Sequence, residues 1–242
     1  MNLSAQIQKQ IGLFPEGKIF GYTDLDISRE EYQSVAKILE RLQGRGVIKK
    51  MSNGVFYKPV QTAFGELKPD YNEQLRPFLF ENGKRIAYVT GTYLYNQLGL
   101  TTQLAVRVKI ASRSKRITIS RGALKADAVK SYAEVTESNY TVLGFLDALK
   151  DIRKIPDTTV QNSVKILSAK ITEMDEKEIA RLIKYALLYP PRVRALLGAI
   201  LDNLGKSDNI TAPLLNSINP LTKIELGLSK SDLPTVENWN IV

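Results

Sequence analysis

The sequence has no cysteine and no histidine in 242 residues. Without cysteine there is no disulfide framework, and a reducing cytoplasm is the compartment that fits. Without histidine the usual zinc sites, the Ser-His-Asp triad and the HExxH helix are excluded by composition. Catalysis would fall to carboxylates, lysine, serine or tyrosine. Long apolar runs are missing as well, since none approaches the roughly 18 residues that span a bilayer. The opening stretch, MNLSAQIQKQIG, lacks the unbroken apolar core of a signal peptide. There is no P-loop, no GxGxxG at a strand–helix junction, and no Gly-Ser signature followed by a D-x-D pair. Tryptophan occurs once, as Trp239.

What is present is positive charge. Lysine and arginine number 34 against 25 acidic residues, a formal net charge of +9. That balance favours an anionic partner, nucleic acid above all. The hydrophobic share of 43% is that of a globular protein, and the length allows one large domain or two ordinary ones with a sizeable core.

Near the N-terminus, Leu3, Ile7 and Ile11 stand four apart, which is helical spacing. Pro15 and Gly17 interrupt, and Thr23 can cap a short second helix that holds Leu25. Ser28 opens SREEYQSVAKILERLQGRG with Glu31 three residues on, the spacing of a capping box. Val35, Ile38, Leu39 and Leu42 form one apolar stripe, and Gly44 and Gly46 end the helix. VIKKM and VFYKP then flank Ser52-Asn53-Gly54, a hairpin signal in which both Asn53 and Gly54 tolerate positive φ. Helix, short helix, long helix and hairpin is the order of a winged helix-turn-helix. With Ile48 and Phe56 facing the core, Lys49 points outward and Lys50 stands at the base of the turn, where phosphate would be met. The face of the long helix opposite its stripe carries Arg29, Glu30, Gln33, Lys37 and Arg41. Arginine and glutamine can pair with guanine and adenine edges, while lysine suits phosphate. The bland alternative is an ordinary charged helix face.

Several ordered blocks resemble the AbiEi-like antitoxins of bacterial type IV toxin–antitoxin systems. They are FPEGKIFGYTDL, VAKILERLQGRGVIKKMSNGVFYKP, FGELKPD, GKRIAYVTGTYLYNQLGLTTQ and VKIASRSKRI, spread over roughly residues 5–135. RLIKYALLYPPRVRALLGAIL is similar to the helical part of one subgroup. The resemblance implies a winged-helix N-terminal domain that represses its own operon in a phage-defence setting. It also implies a C-terminal domain that helps to counter a nucleotidyltransferase-like toxin. Carried over residue by residue, the DNA-binding positions are Arg29, Gln33, Lys37, Arg41, Lys49 and Lys50, with Asn53 at the wing tip. The partners implied are double-stranded operator DNA with inverted repeats and the cognate toxin, reached directly or through a shared target.

Beyond the prolines and glycine of KPVQTAFGELKPD, which mark a linker, a helix is predicted around 71–81 and a strand at RIAYVT. TGTYLYNQLGL reads as a helix capped by Thr90 or Thr92. Val106, Val108 and Ile110 alternate with Arg107 and Lys109, the period of a strand, and KRITIS and ALKADAV supply more. Arg107, Lys109, Arg113, Lys115, Arg116 and Arg121 follow one another with no acid between them. They form a candidate second nucleic-acid or partner patch, or a sheet edge protected by charge. Asp127, Glu134 and Glu137 lie near this region, and carboxylates of that sort bind metal in nucleases, but they make no assembled constellation. Asp24 and Asp26 form the only D-x-D and suit a turn.

From Tyr140 four amphipathic helical segments follow, broken by Pro156, TEMD and Pro190-Pro191. Asp175 with Glu178 can box the third, and Pro191 fits the first turn of the fourth. Arg192 and Arg194 read as solvating the last of them, and Trp239 as a buried anchor for the tail.

The fold expected is therefore α+β: a winged helix-turn-helix over 1–62, a mixed α/β domain with basic strands over 63–138, and a helical domain with an extended tail over 139–242. The function expected is that of a cytoplasmic antitoxin and autorepressor, with no catalytic residue, cofactor or metal and no membrane partner. The competing reading is a winged-helix adaptor that binds protein or RNA.

Overall fold

The computed structural model describes residues 2–62, 65–67, 71–121 and 124–242, the side chains at 62, 65–67, 71 and 121 excepted. Helices are mixed with several small sheets, and the chain divides into two compact units, residues 1–84 and 85–242. No helix among the described residues is long and apolar enough to cross a membrane.

In the first unit, α1 (Leu3–Leu13) begins where the Asn2 side chain accepts the Ser4 N–H, and it buries Ile7 and Ile11. Its carbonyl end is held by Lys58, whose Nζ donates to Gly12 O at 3.1 Å and Phe14 O at 2.8 Å. Strand β1 (Ile19–Gly21) follows, then a single 3₁₀ turn at Tyr22–Asp24, closed by the Gly21 N–H donating to Asp24 Oδ2 at 2.8 Å. The short helix expected there does not extend further, because Leu25 leaves it in an extended conformation to enter the core. Asp24 is thereby a turn residue, as its spacing implied. Ser28 donates its N–H to Glu31 Oε2 at 2.8 Å, so the boxed start is present, leading through a 3₁₀ turn (Arg29–Glu31) into α2 (Tyr32–Gly44).

The stripe of α2, namely Val35, Ile38, Leu39 and Leu42, is buried against α1 together with Phe20, Leu25, Ile48 and Phe56. Strand β2 (Lys49–Ser52) pairs with β3 (Val55–Tyr57), and β3 also pairs with β1, giving the order β1–β3–β2. Sequence periodicity did not reveal β1, since three residues are too few to show an alternation. The expected linker is partly paired, β4 (Val60–Thr62) running antiparallel to β5 (Gly65–Leu67), while Ala63, Phe64 and 68–70 lie outside the described residues. Helix α3 (Tyr71–Leu79) packs against β1, with Leu75 fully buried and Glu73 Oε2 accepting the Ile19 N–H at 3.5 Å. A two-residue pair, β6 (Phe80–Glu81) with β7 (Lys84–Arg85), ends this stretch.

The second unit opens with β8 (Ala87–Thr90) and α4 (Thr92–Gln97). Neither threonine caps α4: Gly91 stands at its N-cap with φ of 74°, and Thr90 turns inward instead. Strands β9 (Val108–Ser112), β10 (Ile119–Arg121) and β11 (Leu124–Lys130) complete a four-stranded sheet ordered β10–β11–β9–β8. β9 and β11 are parallel, and the outer pairings are antiparallel. Val106, expected in a strand, precedes β9 and is 84% exposed.

Then come α5 (Tyr140–Lys150), α6 (Val160–Thr172), α7 (Glu176–Ala186), α8 (Pro191–Asn203) and α9 (Asp208–Leu215). The box at Asp175 and Glu178 and the proline at the start of α8 are in place. Helix α9 was not anticipated, because Pro213 inside it argues against a helix. Arg194 does more than solvate: its Nη1 donates to Ser217 O at 2.8 Å, just past α9. Trp239 is 2% exposed and lies so close over Gly198 that a Cβ there would meet its ring at 2.1 Å. One core runs through Tyr88, Ala111, Leu143, Leu196 and Trp239, continuous across 138/139, where the sequence pattern suggested a boundary.

Candidate nucleic-acid interface

On α2, Gln33, Lys37 and Arg41 recur every four residues, which sets them on one side of the helix, and all are exposed. Arg29 is exposed on the preceding 3₁₀ turn. Arg29, Lys37, Arg41 and Lys50 have no ion-pair partner among the described residues. Exposed Glu30 and Glu40 flank them and lower the local field. Tyr22 stacks on Tyr32 at 5.2 Å, tying the 3₁₀ turn to the first turn of α2.

The hairpin differs in detail from its expected form. Only Gly54 takes a positive φ, 71°, while Asn53 does not, and the register shifts between Lys50 and Ser52. A bulge adds local twist, so the turn does not have to supply it through two left-handed residues. Lys49 stands in register with Tyr57, itself paired to Ile19, on the sheet face of those two buried residues. It is half-buried rather than simply outward, whereas Lys50 and Asn53 are exposed.

The basic run of the second unit does not form one strip. Arg107 precedes β9 and is bound to Asp127, Nε to Oδ2 at 2.6 Å. That hydrogen bond and the adjacent carboxylate push the guanidinium further above its ordinary range. Lys109 lies in register with Asp127 as well, its stem against Gly91. The acid absent from the sequence interval is thus supplied by the neighbouring strand. Arg113, Lys115 and Arg116 follow the other end of β9, about 20 Å from Arg107 at about 3.3 Å per residue. The side chain of Arg121 lies outside the described residues.

At that far end the parallel strands β9 and β11 finish side by side, Ser112 opposite Lys130. Ser112, Arg113, Ser114, Lys115, Arg116, Ala128, Val129 and Lys130 line a concavity of about 350 Å³. Ser112 shapes the segment: its hydroxyl donates to Ile86 O at 2.7 Å and accepts the Lys115 N–H at 3.3 Å. Lys130 could not be grouped with the others from sequence, because its neighbours in space are remote along the chain.

The candidate carboxylates are engaged separately. Asp127 holds Arg107, and Glu137 holds Arg85 at 2.8 Å. Among the described residues no group of three metal-ligating side chains occurs.

A different carboxylate is buried and closely held in the second unit. Asp147 is 2% exposed and accepts from Tyr88 OH and Thr90 Oγ1, each at 2.9 Å, from Tyr189 OH at 3.3 Å and from Lys150 Nζ at 2.7 Å. Tyr95 OH donates to Asp151 Oδ2 at 2.9 Å alongside. Burial, reinforced by these carboxylates, pushes the phenols of Tyr88, Tyr95 and Tyr189 well above the ordinary tyrosine range, so they stay protonated donors. The sequence signal was an aspartate within the apolar run GFLDAL, since a buried carboxylate requires partners.

Fold and surface together define a basic protein of mixed helices and small sheets, with exposed cations in both units. The chain belongs to a protein family of unknown function, DUF6088, whose model matches residues 6–186. No curated protein matches it. The family match covers the first unit from residue 6 and the second through the end of α7.

Proposed function

We propose that the chain is a DNA-binding autorepressor and the antitoxin of a type IV toxin–antitoxin pair, acting in the cytoplasm against a nucleotidyltransferase-like toxin. One observation carries the DNA-binding half. The order α1, β1, turn, α2, β2, β3, with β1 laid against β3, supports reading this unit as a winged helix-turn-helix whose second helix is reduced to a turn. In this reading α2 is the recognition helix in the major groove, with Arg29 and Gln33 addressing base edges and Lys37 and Arg41 the phosphates. The β2–β3 hairpin is the wing, with Lys49, Lys50 and Asn53 toward the backbone. Two copies would read inverted half-sites one helical turn or a multiple apart. The antitoxin half is supported by the resemblance of the ordered sequence blocks.

The second reading, a winged-helix adaptor for protein or RNA, draws on one feature. The element that should cross the DNA backbone before the recognition helix is a lone 3₁₀ turn at Tyr22–Asp24. Binding to labelled duplexes from upstream of the chain's own gene separates the two. Selective binding is expected, with Arg29→Ala or Gln33→Ala costing about 1–3 kcal/mol at the cognate site and relaxing base preference. Equal weakening on random DNA would remove the base-reading role. No preference for the upstream DNA in the unaltered chain would favour the adaptor.

A further inference from the structure

The concavity at the carboxyl ends of β9 and β11 is independent of the DNA-binding reading. Its lining contains four cations, Arg113, Lys115, Arg116 and Lys130, and no acid. They arrive from two directions, three on the segment after β9 and one at the end of β11. Arg116 and Lys130 have no ion-pair partner among the described residues. Arg113 is steadied by a long contact from Nη1 to Ser131 O at 3.5 Å. The Ser112 hydroxyl pins the turn that carries Lys115, so the cations stand on a shaped loop rather than a slack one.

Their number and arrangement select among anions. A flat stripe of cations can track a nucleic-acid backbone, which offers one negative charge per phosphodiester. A concavity converging four cations suits a compact group of three to four charges instead, the polyphosphate of a nucleotide. A volume of about 350 Å³ sits at the small end of ligand sites. Half-buried Ala128 and Val129 give it an apolar side on which a ribose or base can rest. We propose that this concavity binds the polyphosphate of a nucleotide, free or at the 5′ end of an RNA, through Arg113, Lys115, Arg116 and Lys130. Arg107 and Lys109, at the other end of β9 beside Asp127, take no part.

Calorimetry on the full chain at low salt tests this with tripolyphosphate, ATP, and one short RNA bearing either a 5′-triphosphate or a 5′-hydroxyl. Saturable binding of one site per chain is expected, weakened at least tenfold in Arg116→Ala/Lys130→Ala and unchanged in Arg107→Ala/Lys109→Ala. The charge-retaining Arg116→Lys/Lys130→Arg should recover most of it. All these positions are exposed, and thermal melts check that each variant stays folded. Tighter binding of ATP than of triphosphorylated RNA identifies the free nucleotide as the source, and the reverse identifies the chain end. Either supports the site. The proposal is overturned by no saturable binding, by equal weakening in both alanine pairs, or by 5′-hydroxyl RNA binding as well as the triphosphorylated form. Operator binding measured on the same variants keeps the two readings separate, because that reading rests on α2 and the β2–β3 hairpin, which none of these variants touches.

Discussion

The two units treat charge in opposite ways. In the first, the core beneath α2 is entirely apolar and aromatic, and the cations Arg29, Lys37 and Arg41 all lie on its outside. In the second, a carboxylate is taken into the core and surrounded by three hydroxyls and an ammonium group. The first arrangement leaves charge available to a partner. The second uses it to hold β8, α5 and α8 in one geometry, because Tyr88, Asp147 and Tyr189 belong to or adjoin those elements. An apolar core tolerates sliding among similar packings, whereas a satisfied buried network has one arrangement.

The largest effect should come from breaking that network. Asp147→Ala leaves Lys150, two phenols and a hydroxyl without their shared acceptor, and removing one partner of a buried ion pair costs about 3–5 kcal/mol. Denaturant unfolding followed by Trp239, which sits on α8, reads this unit directly. Amide exchange should rise across 140–150 and 191–203 and not across 32–44. An unmoved midpoint would mean that the network contributes nothing to stability. A matching rise in 32–44 would erase the contrast between the units.

The reciprocal change lies in the first unit. Leu39 is fully buried in the stripe of α2, so Leu39→Ala should cost about 2–5 kcal/mol. Here exchange across 32–44 should rise while the Trp239 transition stays where it was. Unchanged protection in α2 would show that Leu39 does not anchor the helix to its core.

Why these two sites differed in legibility follows from their physics. Leu39 belonged to a stripe of four residues at helical spacing, and the structure buries all of them. Capping at Ser28 and Asp175 was readable too, since the partners lie three residues apart. Lys150 apart, three residues on, the Asp147 network joins residues 42 to 59 positions apart, which no local pattern encodes. Strand β1 hid because it is short, α9 because of Pro213, and the division of the basic run because Asp127 approaches from another strand. Exposed positions on α2 were legible as a face, yet a face does not say what it meets.

The smallest effect discriminates within the β2–β3 hairpin. Sequence order makes Lys49 and Lys50 adjacent lysines entering a hairpin, both expected to meet phosphate. Pairing makes them different. Lys49 shares the face of Ile19 and Tyr57 and is half-buried, while Lys50 is exposed beside the bulge. Every phosphate that a side chain ceases to neutralise on duplex DNA lowers the log–log salt slope by about 0.9 without altering sequence preference. Lys50→Ala should therefore lower the slope by about that amount on specific and random duplexes alike. Lys49→Ala should change it less and instead lower the melting temperature of the first unit, because the side chain is half-buried on that face. Salt titrations of both variants decide the matter. Equal reductions in slope would mean that Lys49 reaches past the sheet face to phosphate, and no reduction in either would take the hairpin away from DNA altogether.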